Sequence, residues 1–405
     1  MASNPERLSR EQQSGSINAG DELVRVLIAP QSFKGSASAT RVASAIAAGL
    51  RKVWPLADLL VAPIADGGSG TVEAMTRATG GVLRHSSVSD PLGSPVTATW
   101  GVLGDGQTAI IEMTAASGLS LITAEERNPL VTTTYGTGQL IRHALDAGLP
   151  RIIVGIGDSA TNDGGAGAAQ ALGARLIDAV GRDLPQGGAA LASLARVDIS
   201  KLDPRLRSTE ILAATDVRNP LCGTEGASVI YGSQKGATSA MVTELDHALA
   251  HYAEILQRDL GVDVQNLPGA GAAGGLGAGL VAFCGARLRS AAELIFETIG
   301  LREKILAADL VFTGEGRLDS QDLYGKAPFE VARLASGLKK PTIAIVGGTS
   351  EDYQVVYPHG LAGVMSIVPR PMTLEEAVAR VETLIADATE RAARLISVGQ
   401  RLKVS

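Results

Sequence analysis

Acidic side chains recur in this 405-residue chain where apolar runs give way to glycine-bearing loops. Such loops carry the acids Asp66, Asp163, Asp216, Glu315 and Asp319. Similar loops carry the bases Lys34, Lys235, Arg317 and Lys326. Carboxylates bind Mg²⁺ and cations bind phosphate. The set therefore suits phosphoryl transfer, whose chemistry is mostly in-line positioning and neutralisation of the negative charge that spreads over the transferred group.

The clearest of these loops follows the apolar run at 152–156 and precedes an alanine-rich segment. Glycine N–H groups and a helix N-terminus can face an anion, so Ser159, Thr161 and Asn162 are candidate ligands of a nucleotide phosphate. Asp163 is the candidate ligand of a divalent cation. The alternative is an ordinary strand–turn–helix corner that these polar residues cap.

Lys34 lies in a serine-rich loop between a predicted strand and a predicted helix at 40–53. The loop could receive an anion, although a serine N-cap beside a solvated lysine is the simpler interpretation. Asp66 follows a short predicted strand at 59–63. Ligands bind at the carboxyl ends of strands in open α/β sheets, so Asp66 is a candidate metal ligand or general base, with helix capping as the alternative.

Later loops also place charged residues after predicted strands or in glycine-bearing turns. Asp216 ends a predicted strand, and Lys235 stands in a glycine-bounded turn before a long predicted helix. Another predicted strand ends in Glu315, Arg317 and Asp319, the densest charged group in the sequence. Because functional residues concentrate in loops on a rigid scaffold, we interpret this group as functional rather than as a solvated turn.

Gly269, Gly271 and Gly274 match the pattern G-x-G-x-x-G, with Gly275 following. As a dinucleotide fingerprint the match is weak, because Pro268 stands where a strand should lead directly into it. An anion-binding turn and a close helix-packing loop are both better interpretations.

Composition excludes several classes of function. The net charge is −6, so no basic stripe is available for nucleic acid or an anionic membrane surface. No run of about 18 apolar residues is present, and Cys222 and Cys284 form no zinc or disulfide pattern. A cytoplasmic protein is expected. The P-loop and protein-kinase signatures are both missing from the sequence.

The pattern of strands and helices predicts an α/β fold. Strand–helix units at the beginning give way, from about residue 82, to alternating strands with hairpin turns, which indicates an inserted second domain. The strand–helix pattern of the beginning then returns, with predicted strands at 309–313, 341–346 and 363–368 and a final helix at 373–397. Two domains also suit the chain length.

As an ordered set, the loops resemble those of the bacterial glycerate kinase family. The matching segments, given in chain order, are 31–35, 65–68, 135–138, 159–165, 214–217, 234–237, 268–275 and 313–317. Each is unspecific alone, but together they span most of the chain. Two residues depart from the family pattern: Gln31, where Asp is typical, and Asp158, an extra carboxylate that bears on substrate fit and on the number of metal ions.

The resemblance implies a Rossmann-like parallel-sheet domain built from both chain ends, 23–84 and 288–405, after a flexible leader at 1–22. A second α/β domain with a mixed sheet, 85–287, is inserted between them. The implied reaction is ATP- and Mg²⁺-dependent phosphorylation of the 2-hydroxyl of D-glycerate, giving 2-phosphoglycerate and ADP in an interdomain cleft. Monomer and homodimer both stay open.

Roles follow from the same resemblance. Asp66 or Asp216 would take the hydroxyl proton, and Lys34 and Arg317 would hold the glycerate carboxylate or the γ-phosphate. The implied magnesium ligands are Asp163, Glu315 and Asp319. The implied nucleotide ligands are Lys235 and the glycine loop at 269–275, beside the loop at 159–162.

Two rival functions belong to other classes. An NAD-dependent hydroxy-acid oxidoreductase would use the glycines at 269–274 to hold its cofactor. A non-catalytic glycerate sensor would close on its ligand without chemistry, and Asp158 is the residue that favours it.

Overall fold

The computed structural model describes residues 24–65, 67–318 and 327–401. Within these ranges the strands are, in chain order, β1 (Arg25–Ile28), β2 (Asp58–Val61), β3 (Val82–Ser89), β4 (Pro95–Val102), β5 (Thr108–Glu112), β6 (Arg151–Gly155), β7 (Arg175–Ile177), β8 (Arg196–Asp198), β9 (Glu210–Ala214), β10 (Arg287–Arg289), β11 (Leu310–Glu315), β12 (Thr342–Val346) and β13 (Gly363–Ser366).

The helices in the same ranges are α1 (Ala39–Arg51), α2 (Thr71–Thr79), α3 (Thr114–Ser117), α4 (Tyr135–Asp146), α5 (Ala166–Ala171), α6 (Ala227–Tyr231), α7 (Ser239–Leu260), α8 (Ala272–Cys284), α9 (Ala291–Thr298), α10 (Leu301–Ala307), α11 (Ala327–Gly337), α12 (Leu374–Ala379) and α13 (Val381–Arg401). None of these helices is long and apolar enough to cross a bilayer.

Five strands form a parallel sheet in the order β13-β12-β11-β1-β2. Leu27 of β1 is opposite Val311 of β11 on one side and Leu60 of β2 on the other. From β1 the chain continues to β2 on one side, whereas from β11 it continues to β12 and β13 on the other. The carboxyl ends of β1 and β11 therefore flank the topological switch point of this sheet, where open α/β sheets bind ligands.

The second sheet has six strands in the order β10-β9-β6-β5-β4-β3. β5, β6, β9 and β10 run parallel, whereas β3 and β4 form the antiparallel edge. The predicted α/β class, with one parallel sheet from both chain ends and one mixed sheet from the middle, is confirmed. The division into domains at 84/85 and 287/288 stays a prediction.

A single hydrophobic cluster joins the two sheets. It contains Leu27 and Val311 of the parallel sheet together with Ile110, Ile153 and Leu212 of the mixed sheet, all fully buried. Each such side chain contributes about 1.5–3 kcal/mol when removed from water. Side chains of α2 and α9 complete the cluster, so the loops at the ends of the two sheets are held against each other.

One predicted element differs from the structure. The single helix expected at 373–397 is two helices, because Arg380 adopts non-helical backbone angles, with φ −114° and ψ 14°. α12 therefore leaves the line of α13, and Leu374 at its beginning is 79% exposed.

Candidate active site

Lys34 stands at the meeting point of three cavities. Its loop follows β1 and is held by a hydrogen bond from Phe33 N to Ala37 O and another from Ser36 Oγ to Phe33 O. The exposed lysine side chain lines a central cavity of about 470 Å³, a crevice of about 400 Å³ and a serine-rich cavity of about 540 Å³. The loop that the sequence marked for anion binding thus opens onto connected space.

The central cavity unites residues from both sheets. Lys34 comes from the parallel sheet, while Ser159, Asp216 and Lys235 come from loops of the mixed sheet. Asp158 also lines it. Four of the residues selected from the sequence are therefore brought together, although some two hundred positions separate the first from the last in the chain. Two cations, two carboxylates and a hydroxyl in one small cavity suit a phosphorylated or carboxylated ligand.

Lys235 is almost completely buried at the wall of the central cavity, with 1% of its surface exposed. Its ammonium donates to Ser159 Oγ at 2.8 Å and to Thr161 O at 2.7 Å. Burial lowers the pKa of Lys235 to about 7, and the nearby Asp163 carboxylate opposes that shift. Two of the three N–H donors thus fix the 159–161 loop.

Asp163 is fully buried beneath that loop. Its Oδ2 accepts hydrogen bonds from Thr134 N at 2.7 Å and Thr134 Oγ1 at 2.9 Å, and its Oδ1 accepts from Gly165 N at 3.1 Å. Gly167 N is a further donor, at 3.2 Å. Burial raises the pKa of Asp163 and these donors oppose the shift. Lone pairs occupied by internal donors leave this carboxylate poorly placed for the predicted metal role.

Thr161 and Asn162 do not line the central cavity. Both are fully buried, and Asn162 Nδ2 donates to Ser228 Oγ at 2.9 Å. Of the three polar residues predicted to hold a nucleotide phosphate, only Ser159 lines the cavity. The geometry gives Thr161 and Asn162 a supporting position, in which Thr161 O accepts from Lys235.

The glycine loop at 269–275 overlaps the beginning of α8, where Gly274 and Gly275 have non-helical backbone angles, and it packs against protein backbone. A Cβ at Gly271 would lie 2.1 Å from Pro220 O, and one at Gly274 would lie 2.0 Å from Thr161 O. A Cβ at Gly275 would lie 2.7 Å from Gly164 Cα. Of the interpretations offered by the sequence, the geometry favours the close-packing loop. Gly269 lies beside Val217 and Leu288.

Asp216 caps a helix and lines the cavity at once. Its Oδ1 accepts from Ser290 Oγ at 2.9 Å and from Ala291 N at 2.8 Å, at the beginning of α9. These bonds fix the carboxyl group at the carboxyl end of β9, where it is exposed to the central cavity. A fixed carboxylate of this kind can accept a proton from a bound hydroxyl.

Glu315 and Arg317 follow β11 at the switch point. Glu315 is buried, with 5% exposed, whereas Arg317 is exposed. Both line the 400 Å³ crevice, opposite Gln31 and Lys34. Asp66, Asp319 and Lys326 lie outside the described residues. Within 24–65, 67–318 and 327–401, no group of three or more His, Cys, Asp or Glu side chains could hold a metal ion.

Sequence reasoning missed Glu112, the last residue of β5. This carboxylate is 8% exposed and accepts from Val72 N at 2.5 Å, at the beginning of α2, and from Thr114 Oγ1 at 3.2 Å. Burial raises the pKa of Glu112, and these donors oppose the shift. The available signal was an acid at the end of the apolar run 109–111, the same signal that selected the other acids.

Asp158 has an unusual backbone. Its φ is +51°, in the left-handed region that non-glycine residues rarely adopt. Its exposed side chain lines both the central and the serine-rich cavities. The residue that departs from the family pattern is thus part of the site.

The fold and this site define a small-molecule kinase of known type: the chain belongs to the glycerate kinase family, whose profile matches residues 26–397. The glycerate 2-kinase of Escherichia coli (strain K12) is 51% identical to this chain over 93% of it and 99% of the relative. The glycerate kinase of Bacillus subtilis (strain 168) is 47% identical over 94% of this chain and 98% of the relative.

Comparison with a solved structure points to the same family. Glycerate kinase 2 from Salmonella typhimurium LT2 has a TM-score of 0.85 and 51% identity, covering 94% of this chain and 100% of that one. The predicted family is therefore confirmed. Neither the NAD-dependent oxidoreductase nor the non-catalytic sensor is supported by these relatives.

Proposed function

We propose that this chain is a glycerate 2-kinase, which transfers the γ-phosphoryl group of ATP to the 2-hydroxyl of D-glycerate. The observation that carries the proposal is the central cavity, where Lys34 of one sheet meets Ser159, Asp216 and Lys235 of the other. Two cations can hold the carboxylate of a small hydroxy acid and the transferred phosphoryl group, and a carboxylate can receive its proton. The Escherichia coli relative named glycerate 2-kinase supports the regiochemistry.

In-line transfer joins the 2-oxygen of glycerate to the γ-phosphorus while the bond from that phosphorus to the ADP oxygen breaks. The hydroxyl proton passes to a carboxylate, for which Asp216 and Asp66 are the candidates. Lys34 and Arg317 would neutralise the glycerate carboxylate or the γ-phosphate. Lys235, fixed by Ser159, would direct positive charge at the transferred group.

We expect a magnesium ion beside Glu315, at the switch point. Mg²⁺ binds through one or two carboxylates together with substrate phosphates rather than in an all-protein cage. Glu315, together with Asp319, would hold it, and it would neutralise charge on the phosphates of ATP. Asp163 does not fit this role, because its oxygens accept internal hydrogen bonds in a fully buried position.

Cys222, which is partly buried, and Cys284, which is buried, are both free thiols. Free thiols fit the cytoplasmic location expected from the sequence. We therefore propose a cytoplasmic location. We also propose that one chain supplies all the residues of its active site.

The deciding experiment supplies purified protein with ATP, Mg²⁺ and D-glycerate and couples the product to enolase, with and without phosphoglycerate mutase. Enolase dehydrates 2-phosphoglycerate directly, so its signal without mutase is the expected result. A signal only after mutase is added would keep a glycerate kinase and overturn the 2-position. Silence in both arms, with added 2-phosphoglycerate as the positive control, would overturn the glycerate assignment.

A further inference from the structure

The glycine loop at 269–275, where α8 begins, offers a nucleotide little room. A Cβ at Gly271, Gly274 or Gly275 would lie within 3 Å of a backbone atom. On the side packed against Pro220 and Thr161, the loop leaves no room for adenosine. The adenosine of ATP must therefore bind at another surface of the protein.

The crevice at the switch point provides such a surface. It has a volume of about 400 Å³ and is lined by Phe33, after β1, and by Gly316, after β11. Parallel sheets bind nucleotides at this position because two diverging loops leave a gap beyond adjacent strand ends. Small-molecule pockets of this size bury most of a ligand against apolar walls.

The outer wall of the crevice is apolar and partly exposed. It consists of Ile367, Leu374, Ala377, Val378 and Val381, from the end of β13 and from α12 and α13. Leu374 is 79% and Val378 is 38% exposed. Ile367 and Val381 belong to the buried core beside this wall, so Leu374 and Val378 are its exposed apolar side chains.

The charges at the inner end suit a polyphosphate. Lys34 lines both the crevice and the central cavity, so it connects the apolar wall with Ser159 and Lys235. With Lys34 and Arg317 against Glu315, the described lining of the crevice carries a net positive charge. A ligand apolar at one end and anionic at the other matches this distribution.

Another cavity, of about 840 Å³, does not match as well. It adjoins Asp216 and contains four arginines against five acids. Two of those arginines already form ion pairs, Arg289 with Glu297 and Arg333 with Glu330. Its described lining is thus net negative, which disfavours a triphosphate.

We propose that the adenosine of ATP lies in the switch-point crevice against α12, and that its phosphates pass Lys34 into the central cavity. The proposal rests on the proposed kinase function and moves the nucleotide away from the glycine loop. It makes Ala377 and Leu374 determinants of nucleotide affinity.

Ala377→Phe tests the proposal, because the larger side chain would fill the crevice. Ala379→Phe is the matched control: it lies on the same helix, is exposed and is not part of the crevice lining. We expect the Kd for ADP, measured by calorimetry without glycerate, and the KM for ATP to rise about tenfold or more in Ala377→Phe, an effect of about 1.4 kcal/mol. The KM for glycerate should stay within twofold, roughly the error of such comparisons.

Leu374→Ser covers the case in which Ala377→Phe does not fold, since the exposed Leu374 contributes little to the core. It should weaken ADP binding several-fold. Unchanged ADP affinity in Leu374→Ser and Ala377→Phe, or equal weakening in Ala379→Phe, would overturn the crevice assignment. If crevice variants weaken ADP binding in a protein that never phosphorylates glycerate, the inference stands and the glycerate kinase function fails.

Discussion

The ammonium of Lys235 lies 2.8 Å from the hydroxyl oxygen of Ser159 at the wall of the central cavity. The serine oxygen accepts this bond, so its own O–H can be donated to a ligand. The pair thus combines a buried charge with a fixed donor from a loop 76 residues away.

Lys235→Met should lower kcat/KM by about 10²-fold or more, since a buried cation near the transferred group acts in a low dielectric. Steady-state kinetics with the enolase-coupled assay measures the effect. Lys201→Met, at an exposed lysine, is the control and should match the parent protein. A Lys235→Met protein with parental kcat/KM would remove Lys235 from the site.

The same lysine predicts a pH dependence of stability. Its pKa falls from 10.5 in the unfolded chain to about 7 in the folded one, so between these values the unfolded state binds more protons. The free energy of unfolding therefore rises with pH across that window. The gain is lost again as the pH falls towards 7. Urea unfolding at about pH 7 and about pH 9 should show this gain, about 2 kcal/mol, in the parent relative to Lys235→Met. Parallel pH profiles for the two proteins would contradict it.

Asp163→Asn separates a structural from a metal-binding role. The amide replaces an acceptor oxygen with an NH₂ group that faces donors such as Gly165 N or Thr134 N, which should cost about 1–3 kcal/mol of stability. Denaturant unfolding gives that cost. The Mg²⁺ concentration for half-maximal activity should not change, whereas a tenfold increase would restore Asp163 as a metal ligand.

Asp216→Asn distinguishes the proton acceptor from the helix cap. Asparagine keeps an oxygen for Ala291 N, so the unfolding midpoint should change little. If Asp216 takes the hydroxyl proton, kcat should fall about 10²–10⁴-fold. Asp66→Asn is the parallel variant, and whichever protein turns over at the parental rate excludes its residue as the base.

Gly274→Ala should destabilise the protein much more than Gly285→Ala. Both glycines have positive φ, +67° and +62°, so alanine costs about 1 kcal/mol in strain at either position. Only at Gly274 does the new Cβ also meet backbone, 2.0 Å from Thr161 O, whereas Gly285 has open space. Thermal unfolding of the pair measures the difference. Equal midpoints would show that the loop does not pack as described.

Much of this architecture could be predicted, because apolar runs that end in acids mark strand ends locally. Asp216 and Glu315 were found in this way and do line cavities. Lys34 and Lys235, which were selected as cations in glycine-bearing loops, line the same cavity as Asp216.

The burial of Asp163 was not predictable from its own loop. It depends on donors from Thr134 and on packing of Gly274, more than a hundred residues further along the chain, against Thr161. In sequence, Asp158 and Asp163 look alike, and only tertiary contacts place one on the cavity and the other beneath it. Glu112 ends an apolar run as Asp216 does, but its burial against Val72 N depends on a tertiary contact.

The cluster in which Leu27 and Val311 meet Ile110, Ile153 and Leu212 also governs how the protein loses its structure. Separating the sheets would expose these side chains to water, so neither half is stable while the other melts. Heating should give one calorimetric transition, with amide protection lost in both sheets together. We therefore expect motion around bound substrates to occur in the loops and in α12, while the two sheets stay together.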